Sequence, residues 1–221
     1  MTPNQVTATR VVAAFAAVAI FTAWSSSILA GVAGVSLIVA AIALDGFDGY
    51  LARTRNLASP LGAQFDILGD RVVENLFFTF FAVSGLVSLW VPVLFFVRGA
   101  LTDFLRSLAS RSGRTAFGPT GMLEAKWGRA LVASRGSRAA YAILKCICFC
   151  ALGLLVPASR VPPAWLGDSI RADLSVASQI LVMSTVAFCL LRAIPVLWEG
   201  RRYLATTPVG SLPARVVEIS R

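Results

Sequence analysis

Six stretches of predominantly apolar residues, each close to or above the length of a membrane-crossing helix, leave this 221-residue chain few folds to choose from. A spanning helix needs roughly 20 apolar residues at a rise of about 1.5 Å each, because the bilayer interior offers no water to a broken backbone. The runs lie at 10–26, 28–52, 61–89, 91–109, 137–156 and 174–197. Only Ser25, Ser26 and Ser27 separate the first two, and Trp90 with Pro92 marks a second tight hairpin. Composition agrees: 57% of residues are hydrophobic, 14% are charged and the mean hydropathy is +0.77, more apolar side chain than a water-soluble core can hide. The expected fold is all-α and integral to the membrane, with about six transmembrane helices and an N-terminal membrane-surface helix. One domain is expected over 1–221, with 1–9 as a juxtamembrane segment beginning at Pro3, 10–203 as a helical bundle and 204–221 as a C-terminal cytoplasmic tail. The first run lacks a small-residue cleavage pattern, so it is expected to stay.

Charge sets the expected orientation. The net charge is +9, and most of the cations, among them Arg53, Arg106, Lys126, Arg129 and Arg201, fall in segments on one side of the spans. The opposite side has two uncharged hairpins and one loop with Arg160 and Arg171. Both termini are therefore expected in the cytoplasm. Because the basic residues are scattered among apolar runs, they suit anionic lipid or a phosphorylated substrate and exclude a nucleic-acid partner. The chain has no His, which excludes Ser-His-Asp triads, His-ligated zinc and His nucleophiles. Cys146, Cys148, Cys150 and Cys189 lie inside apolar runs and read as packing residues. Gly31, Gly34 and Ser36 read as close helix packing. Phe77, Phe78, Phe80 and Phe81 suit either a subunit interface or a face turned to lipid.

Carboxylates at membrane depth cost roughly 2.5–3.5 kcal/mol each on insertion scales, so their positions carry functional meaning. Asp45 and Asp48 end the second run three residues apart, and Asp66 and Asp70 begin the third run four apart. Each pair shares one helical face, and a turn through Arg53 to Pro60 brings the two faces together. Any single Asp here could be a helix cap or the partner of Arg53, Arg55 or Arg71. Four together repel strongly unless a cation lies between them. An all-oxygen set selects hard divalent ions, and four bridging carboxylates suffice for two ions about 3.5–4 Å apart. Glu74 continues the face of Asp66 and Asp70; it reads as a supporting group, orienting the base or pairing with Arg98, Arg106 or Arg138, in preference to a direct metal ligand.

The stretch from Asp45 to Asp70, with Asp48, Gly49, Ala52, Arg53, Gly62 and Asp66 in register, resembles at every fixed position the signature of the CDP-alcohol phosphatidyltransferases. The layout of about six spans, with the motif bridging the second and third, resembles the family as well. The segment holding Pro3, Asn4, Thr7 and Arg10 is similar to the surface segment that precedes the first span there. The resemblance implies transfer of a phosphatidyl group from a CDP-linked lipid, CDP-diacylglycerol, to an alcohol with release of CMP. It implies two Mg²⁺ or Mn²⁺ ions held by Asp45, Asp48, Asp66 and Asp70, with Asp70 also the general base. It further implies a nucleotide pocket of Gly49, Ala52, Arg53 and Gly62 with Asn4 and Thr7, a homodimer, and a multi-pass protein of the bacterial plasma membrane with a cytoplasmic active site.

For the acceptor, Arg98, Arg135, Arg138 and Arg192 are the candidate phosphate ligands, with Lys145 two turns into the fifth run. Arg192 stands out because an arginine at membrane depth needs a partner or a hydrated cavity. Arg98 with Asp103 is alternatively an internal ion pair. The arginines favour a phosphorylated polyol, glycerol 3-phosphate or inositol phosphate, and the lack of His disfavours the lipid synthases that use paired His nucleophiles. The rival reading from another class is an intramembrane divalent-cation or anion transporter. Every signature Asp lies near a cytoplasmic helix end, which leaves such a transporter no continuous polar route.

Overall fold

The first helix begins earlier than its apolar run. Thr2 Oγ1 accepts a hydrogen bond from the Gln5 amide and Gln5 Oε1 accepts one from the Thr2 amide, a reciprocal cap with Pro3 in the first turn. In the computed structural model, which describes residues 2–54, 60–111, 121–160 and 167–205, helix α1 therefore runs unbroken over Pro3–Ala23. This corrects the expected division at Arg10: the surface segment and the first span are one helix. After it come α2 (Ile28–Thr54), α3 (Pro60–Val83), α4 (Trp90–Arg111), the short α5 (Lys126–Val132), α6 (Arg135–Arg160), α7 (Asp168–Gly200) and α8 (Arg202–Ala205). The expected tail beyond Ala205 lies outside the described residues.

Among the described residues four stretches, Asn4–Ala23, Ile28–Gly46, Lys126–Ser159 and Ala172–Leu204, are long and apolar enough to cross a membrane. Helices α3 and α4 are of similar length, but charged residues interrupt each: Asp66, Asp70, Arg71 and Glu74 on α3, Arg98, Asp103 and Arg106 on α4. Successive long helices alternate in direction, so the charged ends of α1, α2, α3, α4, α6 and α7 gather at one end of the bundle. The outer surface is apolar, with Val12, Leu29, Phe96, Ile147 and Ile180 more than half exposed, as suits a lipid solvent.

Where lipid is as apolar as a leucine side chain, helices associate through close packing. Helix α1 packs on α2 and α3, α2 on α6, α3 on α4, and α7 on α4 and α6. A Cβ on Gly34 would lie 2.5 Å from the Phe21 ring, and one on Gly31 would lie 2.8 Å from Pro157, so both glycines set interhelical distance as expected. Ser36 differs: it is exposed and bonds only back to the Val32 carbonyl. Gly34→Val is expected to destabilise by about 1–3 kcal/mol through overpacking, read as a lower unfolding midpoint in detergent, whereas Ser36→Val changes it little.

Of the four phenylalanines at 77–81 of α3, three form the core and Phe80 packs half-buried against it, so they serve neither as a lipid face nor as an exposed interface. Phe77, Phe78 and Phe81 are fully buried, and Phe78 lies 4.3 Å from Phe95 and 4.9 Å from Phe149 between ring centroids. A second apolar cluster, with Leu105, Met122, Val132, Val196 and Tyr203, fastens α5 and α8 to the ends of α4 and α7.

Candidate active site

The inward face of α1 presents Val6, Thr7, Arg10, Ala14, Ala17 and Phe21 at helical spacing, all buried. Arg10 is 2% exposed and meets three of the signature carboxylates. Its Nη1 contacts Asp45 Oδ1 and lies 3.2 Å from Asp70 Oδ1. Its Nη2 donates at 2.8 Å to Asp66 Oδ1 and at 2.8 Å to the Asp66 carbonyl. The approach depends on Gly69, where a Cβ would stand 2.7 Å from Thr7 Cγ2 and 2.9 Å from Arg10 Nη2.

One guanidinium among three carboxylates leaves two negative charges uncompensated, and like charges about 4 Å apart repel by about 4 kcal/mol at a surface-like dielectric. Asp45, Asp66 and Asp70 remain 38%, 45% and 49% exposed, open to a cavity. Among the described residues, no three acidic or thiol side chains are arranged to hold a metal ion. Arg10 stands at the point on which these three converge. The donor set nonetheless fits hard divalent cations, because it is all oxygen and already gathers around a positive group.

One turn deeper, Glu74 is 2% exposed and fully engaged. It accepts from Arg71 Nη1 at 3.0 Å and from the Tyr141 hydroxyl at 3.0 Å, and Lys145 Nζ lies 3.1 Å away. Its direct contacts are Arg71, Lys145 and Tyr141; of the expected partners, Arg98 acts on it through its charge without a direct contact. Asp103 is likewise taken by Arg71 at 2.8 Å and Arg106 at 3.0 Å, which corrects the pairing with Arg98. Arg71 thus belongs to this network, and the cation that Asp45, Asp66 and Asp70 share is Arg10.

A cavity of about 520 Å³ extends from Asp45, Asp66 and Asp70 to a basic wall of Arg98, Arg135, Arg138, Lys145 and Arg192. Arg98 is 9% exposed and its Nε is buried without a hydrogen-bond partner. Arg135 and Arg138 are exposed at the start of α6. Arg192 donates through Nη1 to the Leu131 carbonyl at 3.0 Å and to Ser137 Oγ at 2.6 Å, and through Nη2 to the Val132 carbonyl at 3.2 Å. It therefore fastens α7 to the end of α5 while lining the cavity.

The structure brings together Asp45, Asp66, Asp70, Arg98, Arg135, Arg138 and Arg192. Thr7 is buried against Gly69, Asn4 is exposed on the same helix, and Gly62 is half-buried on the first turns of α3. Asp48, Gly49, Ala52 and Arg53 lie on the last turns of α2, where side chains fall outside the described residues. Sequence alone gives Arg10 no site role beyond its place in the N-terminal segment that resembles the family, and it does not single out Gly69, which the signature does not fix. The spacing of Thr7 and Arg10 on one helical face was the available signal.

Fold and site together define a multi-pass membrane protein with a polar chamber at one end of its helical bundle, acidic on one wall and basic on the other. The chain belongs to the CDP-alcohol phosphatidyltransferase family, whose sequence profile matches residues 1–191. It is also similar to a CDP-diacylglycerol–serine O-phosphatidyltransferase of Helicobacter pylori (strain J99), 39% identical over 71 residues. That stretch covers 29% of this chain and 30% of the relative.

Proposed function

We propose that the protein transfers a phosphatidyl group from CDP-diacylglycerol to an alcohol and releases CMP, and that the acceptor is a phosphorylated polyol. The observation that carries this reading is one cavity with Asp45, Asp66 and Asp70 at one end and Arg98, Arg135 and Arg138 at the other. Asp45, Asp48, Asp66 and Asp70 would hold two Mg²⁺ or Mn²⁺ ions, which supply charge neutralisation for the diphosphate and its leaving group. Asp70, one turn deeper than Asp66, takes the proton of the acceptor hydroxyl. The acceptor oxygen then bonds to the lipid-linked phosphorus, and the bond from that phosphorus to the CMP oxygen breaks. With no His in the chain to form a covalent intermediate, the displacement is direct and inverts phosphorus.

Arg98 and the rim arginines bind the acceptor phosphate by charge-assisted hydrogen bonds. Gly49, Ala52, Arg53 and Gly62, with Asn4 and Thr7, form the nucleotide side. The protein sits in a bacterial plasma membrane with both termini and the chamber cytoplasmic. A homodimer, as the resemblance implies, would use a face other than the core phenylalanines of α3. The transporter reading is disfavoured because the cluster of Phe77, Phe78, Phe81, Phe95 and Phe149 fills the bundle beyond the charged end.

Serine is the second reading for the acceptor, favoured by the partial likeness to a serine O-phosphatidyltransferase; its carboxylate suits the same arginines. The deciding test is CMP release by the purified full chain with CDP-diacylglycerol and Mg²⁺ or Mn²⁺ across glycerol 3-phosphate, inositol phosphate, phosphatidylglycerol, serine and choline. Release is expected with a phosphorylated polyol, and Arg98→Gln is expected to raise KM for it about tenfold or more, a loss in line with one charge-assisted hydrogen bond. Release with serine alone rejects the polyol assignment, and no release with any acceptor rejects the enzymatic reading.

A further inference from the structure

We propose that Arg10 is an exchangeable internal counter-ion of the aspartate cluster: it holds the carboxylates together without metal, competes with divalent cations for them, and couples metal binding to arrival of the CDP-lipid. The inference rests on the function proposed above and adds a role for a residue outside the signature.

The two ends of the guanidinium are held differently. Nη2 is anchored twice on Asp66, at its carboxylate and its backbone carbonyl. Nη1 bridges Asp45 on α2 and Asp70 on α3, contacts that divalent cations would replace directly. Arg10 is 2% exposed and its Nε has no hydrogen-bond partner, so the group sits in a packed slot whose counter-charges are these aspartates. A void of about 40 Å³, lined by Arg10, Asp45, Asp70, Glu74 and Lys145, adjoins it and gives the guanidinium room to shift.

Charge counting supplies the coupling. Four aspartates and two divalent ions are neutral together, so a guanidinium kept in place makes the loaded cluster positive. A diphosphate diester carries one negative charge on each phosphate. Its arrival offers Nη1 a phosphate oxygen in exchange for Asp45 and Asp70 and frees those carboxylates for metal. Linkage is reciprocal: a lipid that tightens metal binding is itself bound more tightly when metal is present.

The test is Mn²⁺ titration of the full-length protein in nanodiscs, followed by electron paramagnetic resonance, with and without CDP-diacylglycerol and with no acceptor alcohol. Wild type is expected to bind Mn²⁺ weakly alone and about tenfold or more tightly with the lipid, within the usual span of coupled sites. Arg10→Gln is expected to bind Mn²⁺ alone about tenfold more tightly than wild type, with the lipid effect reduced to less than about twofold. Gly69→Ala, which presses on Nη2 without removing it, is expected to move in the same direction by less. If the glutamine variant does not fold, Arg10→Lys answers the question: an ammonium cannot hold Asp66 and bridge Asp45 and Asp70 together, so Mn²⁺ binding alone should again tighten. Wild-type Mn²⁺ affinity in the folded Arg10 variant overturns the counter-ion role while leaving CMP release intact as support for the enzyme. Wild type that binds no Mn²⁺ under either condition overturns the counter-ion role and the Mn²⁺ assignment, while the enzymatic reading stands or falls on CMP release.

Discussion

Asp70→Asn is expected to lower CMP release at least about a hundredfold, within the 10²–10⁴ that a positioned general base contributes, and to leave the unfolding midpoint at or slightly above that of wild type. The amide keeps the size and shape of the side chain but cannot take a proton from the acceptor hydroxyl. Stability does not suffer, because Asp70 is 49% exposed and one of three carboxylates sharing a single guanidinium. Removing its charge relieves repulsion from Asp45 and Asp66. Rate and stability therefore move independently, and undiminished turnover in the variant would remove Asp70 as the base.

Glu74→Gln is expected to act in the opposite sense, by lowering stability about 3–5 kcal/mol, the range for removing one partner of a buried ion pair. Glu74 is 2% exposed and holds Lys145 from α6 and Arg71 from its own helix, so its neutral amide leaves two cations in a desolvated place with one counter-charge lost. Denaturant unfolding in detergent measures the loss. Combining Glu74→Gln with Lys145→Met should recover a substantial part of it, because neighbouring members of one network are not additive. Full additivity of the two substitutions would mean that the contact between α3 and α6 carries no such energy.

The parts of this architecture that sequence reveals are those where one helix decides the matter. Asp66, Asp70 and Glu74 follow one another at four-residue spacing, so their shared face on α3 is dictated by helical geometry alone. The basic wall is legible in part, because Arg98 and Arg192 stand within apolar runs where lipid would otherwise exclude charge. What the sequence conceals is which helix lies opposite. Arg10 meets partners 35 to 60 positions away, and its spacing from Thr7 marks a shared helical face without saying which carboxylates lie opposite. For Glu74 the helical face is legible but the contacts are not, since Lys145 and Tyr141 reach it from α6 while Arg98 acts on it only through its charge. Phe77, Phe78 and Phe81 were ambiguous because in a bilayer inward and outward apolar positions look alike. Helix boundaries shifted for a related reason. Helix α7 begins at Asp168, ahead of its apolar run, because backbone hydrogen bonding continues into polar turns that hydropathy marks as loop.

The grip of Arg192 on Leu131, Val132 and Ser137 makes α7 a lever for the arginines that open α6. Arg135 and Arg138 begin only a few residues past those carbonyls, so any tilt of α7 is relayed to them through the elbow between α5 and α6. If the basic wall receives the acceptor as proposed, substitutions along α7, a helix that carries none of the four aspartates, are expected to alter acceptor preference through the placement of Arg135 and Arg138 while leaving the acidic wall as it is.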